Sequence, residues 1–429
     1  MRYTPPSKRL YIDNRSKLAS KLVAKSIAIF NSNDIMPTNA DGVMPFRQNN
    51  DLLFFTGIDQ EDTVLLVMPD YPVKSQREIL FLKETNEHIA VWEGHKFTKE
   101  EAKELSGIET IYWISEFEQV LNNLMVEAEN VYINSNEHTR AMLDVETKDD
   151  RFSKWCHQKY SNHSYKRSAP LMHDLRSVKS QEEIDMLQVA CDITEAGFRR
   201  ILKFVKPGVL EYEIEAEYIH EFIKSKSMGF AYQPIIASGL DSCVLHYVEN
   251  KKACNAGDML LMDVAAEYGN YNADMTRTIP VNGRFSERQR AVYDAVLRVK
   301  NEATNMLRPG TIINDYNREV GLVMEKELLG LGLIDATDIK NQDPTNPAFR
   351  KYFMHGTSHF LGLDVHDVGN FYAPITEGMV FTVEPGIYIP EENFGVRLED
   401  NVVIEKDGVL NLMKNIPLEA DEIETLMNN

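Results

Sequence analysis

Phe353-Met-His355-Gly-Thr-Ser-His359-Phe-Leu-Gly-Leu-Asp-Val-His366-Asp367 is the stretch on which the reading of this chain turns, with three histidines inside twelve positions. Thr382-Val-Glu384-Pro-Gly follows, then Gly395-Val-Arg397-Leu-Glu399-Asp400; upstream, Asp263 and Asp274 add two more carboxylates. His355 and His359 stand four apart, but Gly356 and the absence of a glutamate between them argue against an HExxH zinc helix.

The flanking pattern gives these residues a frame. Val380-Phe-Thr-Val-Glu384 runs to Ile389, turns near Pro390 to Gly395 and returns through Val396 to Glu399. Met259 to Ala266 likewise turns through Glu267 to Asn272 and returns from Ala273 to Ile279. Each predicted hairpin sets two carboxylates on neighbouring strands, Asp263 with Asp274 and Glu384 with Glu399, within cross-strand reach. A bulge would displace that register. Each hairpin is also preceded by a similar helical passage. Ser180 with Glu183 caps a long helix that stops at Lys206-Pro-Gly208, and a second helix runs from Glu211 to about Met228. Ser286 with Gln289 caps another that stops at Arg308-Pro-Gly310, followed by a helix from Thr311 to about Leu329. Two copies, rather than many, imply two similar half-domains facing one another and not a solenoid.

The chain before this region alternates differently. A helix over Arg15–Val23 leads into strand-like runs at 26–30, 51–55, 63–68, 78–82 and 131–133. Thr98 with Glu101 and Ser115 with Glu118 read as capping boxes. Interleaved strands and helices predict an α/β domain of three layers that serves as scaffold or substrate gate. Ser168 to Ser180 breaks the periodicity, so the expected domains are 1–174 and 175–429. With 429 residues, two domains are the expected number. The hydrophobic fraction of 43% and charged fraction of 26% are those of a globular protein. The net charge of −20 disfavours nucleic acid as a partner. No apolar run is long enough to span a membrane, and no signal peptide is read after Met1. Cys156, Cys191, Cys243 and Cys254 form no CxxC pair and read as reduced packing residues of a cytoplasmic protein.

Four carboxylates directed into one pocket cannot all stay ionised unaided. Divalent cations resolve the conflict, and a mostly oxygen donor set with one imidazole favours Mn²⁺ over a thiolate-type zinc site. Two such ions about 3.5 Å apart would share a bridging water or hydroxide as nucleophile.

In these motifs the second domain resembles the pita-bread fold shared by methionine aminopeptidases, prolidases, creatinase-type enzymes and Xaa-Pro aminopeptidases. The Xaa-Pro aminopeptidase (aminopeptidase P) family in its bacterial form is the nearest. The resemblance rests on Phe46 to Gly57, Leu245-His246-Tyr, Met262-Asp263, Ala273-Asp274-Met-Thr-Arg-Thr, His355 to His359, Gly362 to Asp367, Thr382 to Gly386 and Arg397 to Asp400. It implies an α/β N-terminal domain followed by an α+β catalytic domain with an internal pseudo-twofold repeat. By that resemblance Asp263 binds one metal, Asp274 and Glu399 bridge both, and His359 with Glu384 completes the second. His246 and His366 hold the scissile carbonyl and its oxyanion, His355 contacts substrate, and Glu384 also accepts a proton. Tyr388 and Arg397 support the ligands and the prolyl pocket. The implied substrates are peptides with proline second, and the implied assembly is a homodimer or homotetramer.

The five ligand positions are all intact, which disfavours a metal-free creatinase-type enzyme or a non-catalytic peptide-binding homologue. Prolidase, acting on Xaa-Pro dipeptides, shares the ligand set and is the alternative. Beyond these motifs, His220 reads as a structural or surface residue, Tyr232 and Met228 as core. Core packing is also preferred for Trp92, over a reach into a neighbouring subunit's site.

Overall fold

The computed structural model describes residues 2–142 and 144–429. Met1, where the expected first domain begins, and Leu143 within it lie outside the described residues. Contacts divide the chain into two compact units, Pro5–Arg176 and Ser177–Asn429, the latter joined by the first residues through Thr4.

The first unit is built on a six-stranded sheet in the order Thr110–Trp113, Glu78–Leu82, Val64–Val67, Ser26–Asn31, Asn130–Ile133, Ser164–Arg167. Ser26–Asn31 is buried along its whole length because both faces are covered. On one face Ile27, Ile29, Leu66 and Phe81 pack with Leu121, Leu124 and Cys156. On the other, the Phe30 ring meets Phe55 at 4.9 Å between centroids.

Three local expectations fail here. Asp51 to Phe55, expected as a strand, is part of the helix Asn50–Thr56. A short apolar run fits either period, and the ends decide it: the Asn49 side chain accepts from the amides of Asp51 and Leu52, and Gly57 closes the helix at φ 69°. Ser115 does not cap: the helix Phe117–Met125 is entered through a 3-10 turn, and the Trp113 amide donates to Glu116 instead. The stretch expected to be irregular after Ser168 is helical over Ala169–Ser177, with Pro170 in the first turn, where its missing N–H costs nothing.

In the second unit the helices Gln181–Phe204 and Glu287–Met306 both begin with reciprocal capping boxes, at Ser180/Glu183 and Ser286/Gln289. Each is followed by a second helix, Glu211–Lys224 and Ile313–Gly330. The Pro-Gly stops between them match down to the backbone, since Gly208 and Gly310 both sit at φ 94°, where a Cβ would be strained. Each half then supplies antiparallel strands: Met259–Asp263 lies between Thr276–Pro280 and Ile235–Ser238, and Asp400–Glu405 lies between Val380–Val383 and Gly408–Asn411. This is the pita-bread catalytic fold, following an α/β N-terminal domain in the chain.

The registers position the acids. In the first hairpin Asp263 pairs with Thr276, so Asp274 is its diagonal neighbour on the same face. In the second, Val383 pairs with Asp400 and Gly386 with Arg397, which sets Glu384 opposite Glu399 in the gap between the two ladders. The hairpins are stitched together: the Glu399 amide donates to Thr276 O at 3.0 Å, and the Asn401 side chain accepts from the Asp274 amide at 3.0 Å.

Candidate active site

Asp274, His359 and Glu399 are buried and each offers a donor atom within 4.8 Å of the others. His359 Nε2 lies 3.3 Å from Asp274 Oδ2 and 3.6 Å from Glu384 Oε1. Asp263 is brought in from the side by Arg397, whose Nη2 donates to Asp263 Oδ2 at 2.7 Å. The same guanidinium donates through Nε to Thr276 Oγ1 at 3.0 Å, and that hydroxyl donates to Glu399 Oε2 at 2.7 Å. All five expected donors therefore gather at one place.

Burial and mutual repulsion push Glu399, Asp263 and Glu384 above the ordinary carboxylate range. Burial raises Glu399 well above the ordinary carboxylate range, and Asp274, Glu384 and Asp263 add to the rise. Burial also raises Asp263, with Asp274 adding and Arg397 opposing. Glu384 is pushed up to about 7 by burial, against the pull of His359 and Arg397. A divalent cation displaces protons from such acids and replaces repulsion with ligation. The imidazole fits the same role. His359 Nδ1 lies 2.9 Å from the Phe360 carbonyl and must donate to it, so in the neutral ring Nε2 turns its lone pair to the acids. Oxygen-rich with one nitrogen, the donor set suits a divalent metal ion.

Around the cluster, His355 Nδ1 faces the Gly356 carbonyl at 2.8 Å, and its Nε2 faces the Tyr388 hydroxyl at 2.7 Å. Nδ1 therefore carries the proton and Tyr388 donates to Nε2, while Arg397 Nη1 donates to the Tyr388 oxygen at 2.9 Å. Burial, then the charge of Arg397, holds His355 down at about 4, so this ring is neutral. His366 stacks edge-on against His359 with ring centroids 4.4 Å apart. His246 lies on an exposed turn, close enough to His355 to contribute to lowering it.

Three side chains depart from expectation. Tyr232, expected in the core, donates its hydroxyl to Asp263 Oδ1 at 2.5 Å; its sequence surroundings give no sign of this. Met228 is 63% exposed and Trp92 78% exposed, so neither is core. Thr276 is a further support: two residues after Asp274 in extended chain, it shares that residue's face.

The fold and donor set are those of a metallopeptidase. Residues 185–406 match the model of metallopeptidase family M24, and residues 11–132 that of the aminopeptidase P N-terminal domain. The chain is 34% identical to the Xaa-Pro aminopeptidase of Escherichia coli strain K12 over 98% of each chain. Its fold matches aminopeptidase P of E. coli with the inhibitor Pro-Leu at a TM-score of 0.89, with 32% identity over 99% of both chains. Aminopeptidase PepP of Pseudomonas aeruginosa matches at 0.90 with 30% identity, covering 100% of this chain and 99% of that one. The chain belongs to metallopeptidase family M24, in its aminopeptidase P branch.

Proposed function

We propose that this protein is a dinuclear, Mn²⁺-dependent enzyme that releases the N-terminal residue from peptides with proline second, with a catalytic domain from about residue 175. The observation that carries the reading is the convergence of Asp274, His359 and Glu399 within 4.8 Å, with Asp263 and Glu384 against them. Asp263 would hold one ion, Asp274 and Glu399 both, and His359 with Glu384 the second. Bound there, the pair of ions would supply a water acidified for attack and a Lewis acid for the carbonyl oxygen.

The chain's own side chains account for the rest. Asp263 attracts the peptide's free α-amine, which fixes cleavage after one residue. His246 and His366 donate to the carbonyl oxygen as negative charge builds on it. Glu384 is more exposed than its fellow ligands Asp263 and Asp274, at 20% against 15% and 7%. Placed there, it accepts the proton of the attacking water at Oε. Delivery of that proton to the prolyl nitrogen lets the C–N bond break, which a nitrogen without N–H requires. His355, Tyr388 and Arg397 form a rigid wall beside the prolyl ring.

The Pro-Leu inhibitor of the E. coli relative has the form of what remains after one residue leaves Xaa-Pro-Leu, which favours an aminopeptidase over a dipeptidase. The test combines metal content per chain with turnover of Xaa-Pro and Xaa-Pro-Yaa peptides. Two ions per chain, loss of activity on chelation, recovery with Mn²⁺ and cleavage of the tripeptide are expected; turnover of dipeptides alone would make it a prolidase. The exposed neighbours Val91 (80%) and Trp92 (78%) support a homodimer or homotetramer, and four free cysteines fit a cytoplasmic setting.

A further inference from the structure

The loop from Phe360 to Asp367 leaves the cluster after His359 and returns at His366. The Asp367 amide closes it by donating to Phe360 O at 2.9 Å. Inside the loop lies an ion pair. Lys179 Nζ donates to Asp367 Oδ2 at 2.9 Å, and each side chain is only 1% exposed. The other carboxylate oxygen accepts from the Val368 amide at 2.9 Å. Packing fixes the pair: a Cβ on Gly362 would lie 2.2 Å from Asp367 Oδ2 and 2.9 Å from Lys179 Cε. Lys179 is itself anchored, since its amide donates to Gly378 O at 2.9 Å and Val178 bridges Met379, just before the strand Val380–Val383 that leads to Glu384.

A buried ion pair is a poor source of net stability, because desolvation of both charges offsets their attraction. What it does supply is direction, since a charged partner tolerates little displacement. We infer that Lys179 and Asp367 are positioning residues that hold His366 against His359 and so aim it at the scissile carbonyl. The inference rests on the role proposed above for His366. Lys179 lies far from that histidine in sequence, just before the first long helix, and reaches it only through the fold.

The test is a coupling measurement on the full-length, Mn²⁺-loaded protein, reading turnover of a tripeptide with proline second. Lys179→Met combined with Asp367→Asn removes both charges at nearly constant size. The pair variant is expected to lower kcat by about 10²-fold, the scale of a 1 Å misplacement, with KM and metal content per chain unchanged. In a His366→Ala background the same two substitutions should lower kcat by less than about 3-fold, because groups acting as a unit are not additive. A purely structural pair would give equal losses in both backgrounds. Equal losses, or full kcat in the pair variant, overturn the inference. Full kcat in His366→Ala alone overturns the assignment of that histidine, and the inference with it, while leaving the ligand set standing. If the pair variant does not fold, Asp367→Asn alone, which still accepts from Val368, is put through the same comparison with the same criterion.

Discussion

In the first hairpin Asp263 and Asp274 sit diagonally across the ladder, whereas in the second Glu384 and Glu399 face each other directly. The shorter acids take the diagonal, the longer ones the direct pairing. Their restraints differ as well. Asp263 is held by Tyr232 and Arg397, and Glu399 by Thr276, while Glu384 retains a side chain 20% exposed beside His355 and His359. Three acids are thus anchored or nearly enclosed, and the fourth is the more exposed, as the proton-accepting role proposed for it requires. A pseudo-twofold fold therefore gives its two halves similar backbones and unequally restrained acids.

If both hairpins are needed equally to hold the ions, one isosteric change in either should be comparably severe. Asp274→Asn and Glu384→Gln are each expected to lower kcat by about 10³-fold or more, on the scale of losing a main electrostatic group, with the fold retained by circular dichroism. A mild effect from either would show that its hairpin is dispensable.

The supports should matter less and should separate the hairpins. Tyr232→Phe removes a bond to Asp263, and Thr276→Val removes one to Glu399. Each is expected to cost about 10–100-fold in metal affinity or activity, measured by Mn²⁺ titration. An unchanged affinity in both variants would remove the distinction between anchored and free acids.

The smallest effect concerns stability. Glu384 has its folded pKa raised to about 7, above the ordinary carboxylate value, so the ion-free fold binds more protons than the unfolded chain between those two values. Its contribution to ion-free stability therefore falls as pH rises through that window. Glu384→Gln should accordingly raise the denaturation midpoint of chelated protein at pH 8 and leave it unchanged near pH 4. An equal shift at both values would mean that Glu384 does not carry the proton.

Much of this molecule was legible because its signals are local. The capping boxes at Ser180 and Ser286 and the Pro-Gly stops announce the paired helices of each half, and the ordered His, Asp and Glu motifs give the donor set. What escaped is set by contacts distant in sequence. The five residues 51–55 suit a strand or a helix until Asn49 and Gly57 are seen to cap them. Tyr232 gains its meaning from Asp263 across the site, and Lys179 from a loop nearly at the other end of the domain. The diagonal placement of Asp274 depends on a register that alternation narrows but does not specify.

The order of the acids along the chain has one more effect. Asp263 and Asp274 leave the ribosome well before Glu384 and Glu399, and at about 5–20 residues per second the delay is on the order of ten seconds. Until the later ribbon emerges, the earlier one has half a cage and no counterpart. With the ligand set proposed above, a polypeptide still being made is thus a peptidase without teeth.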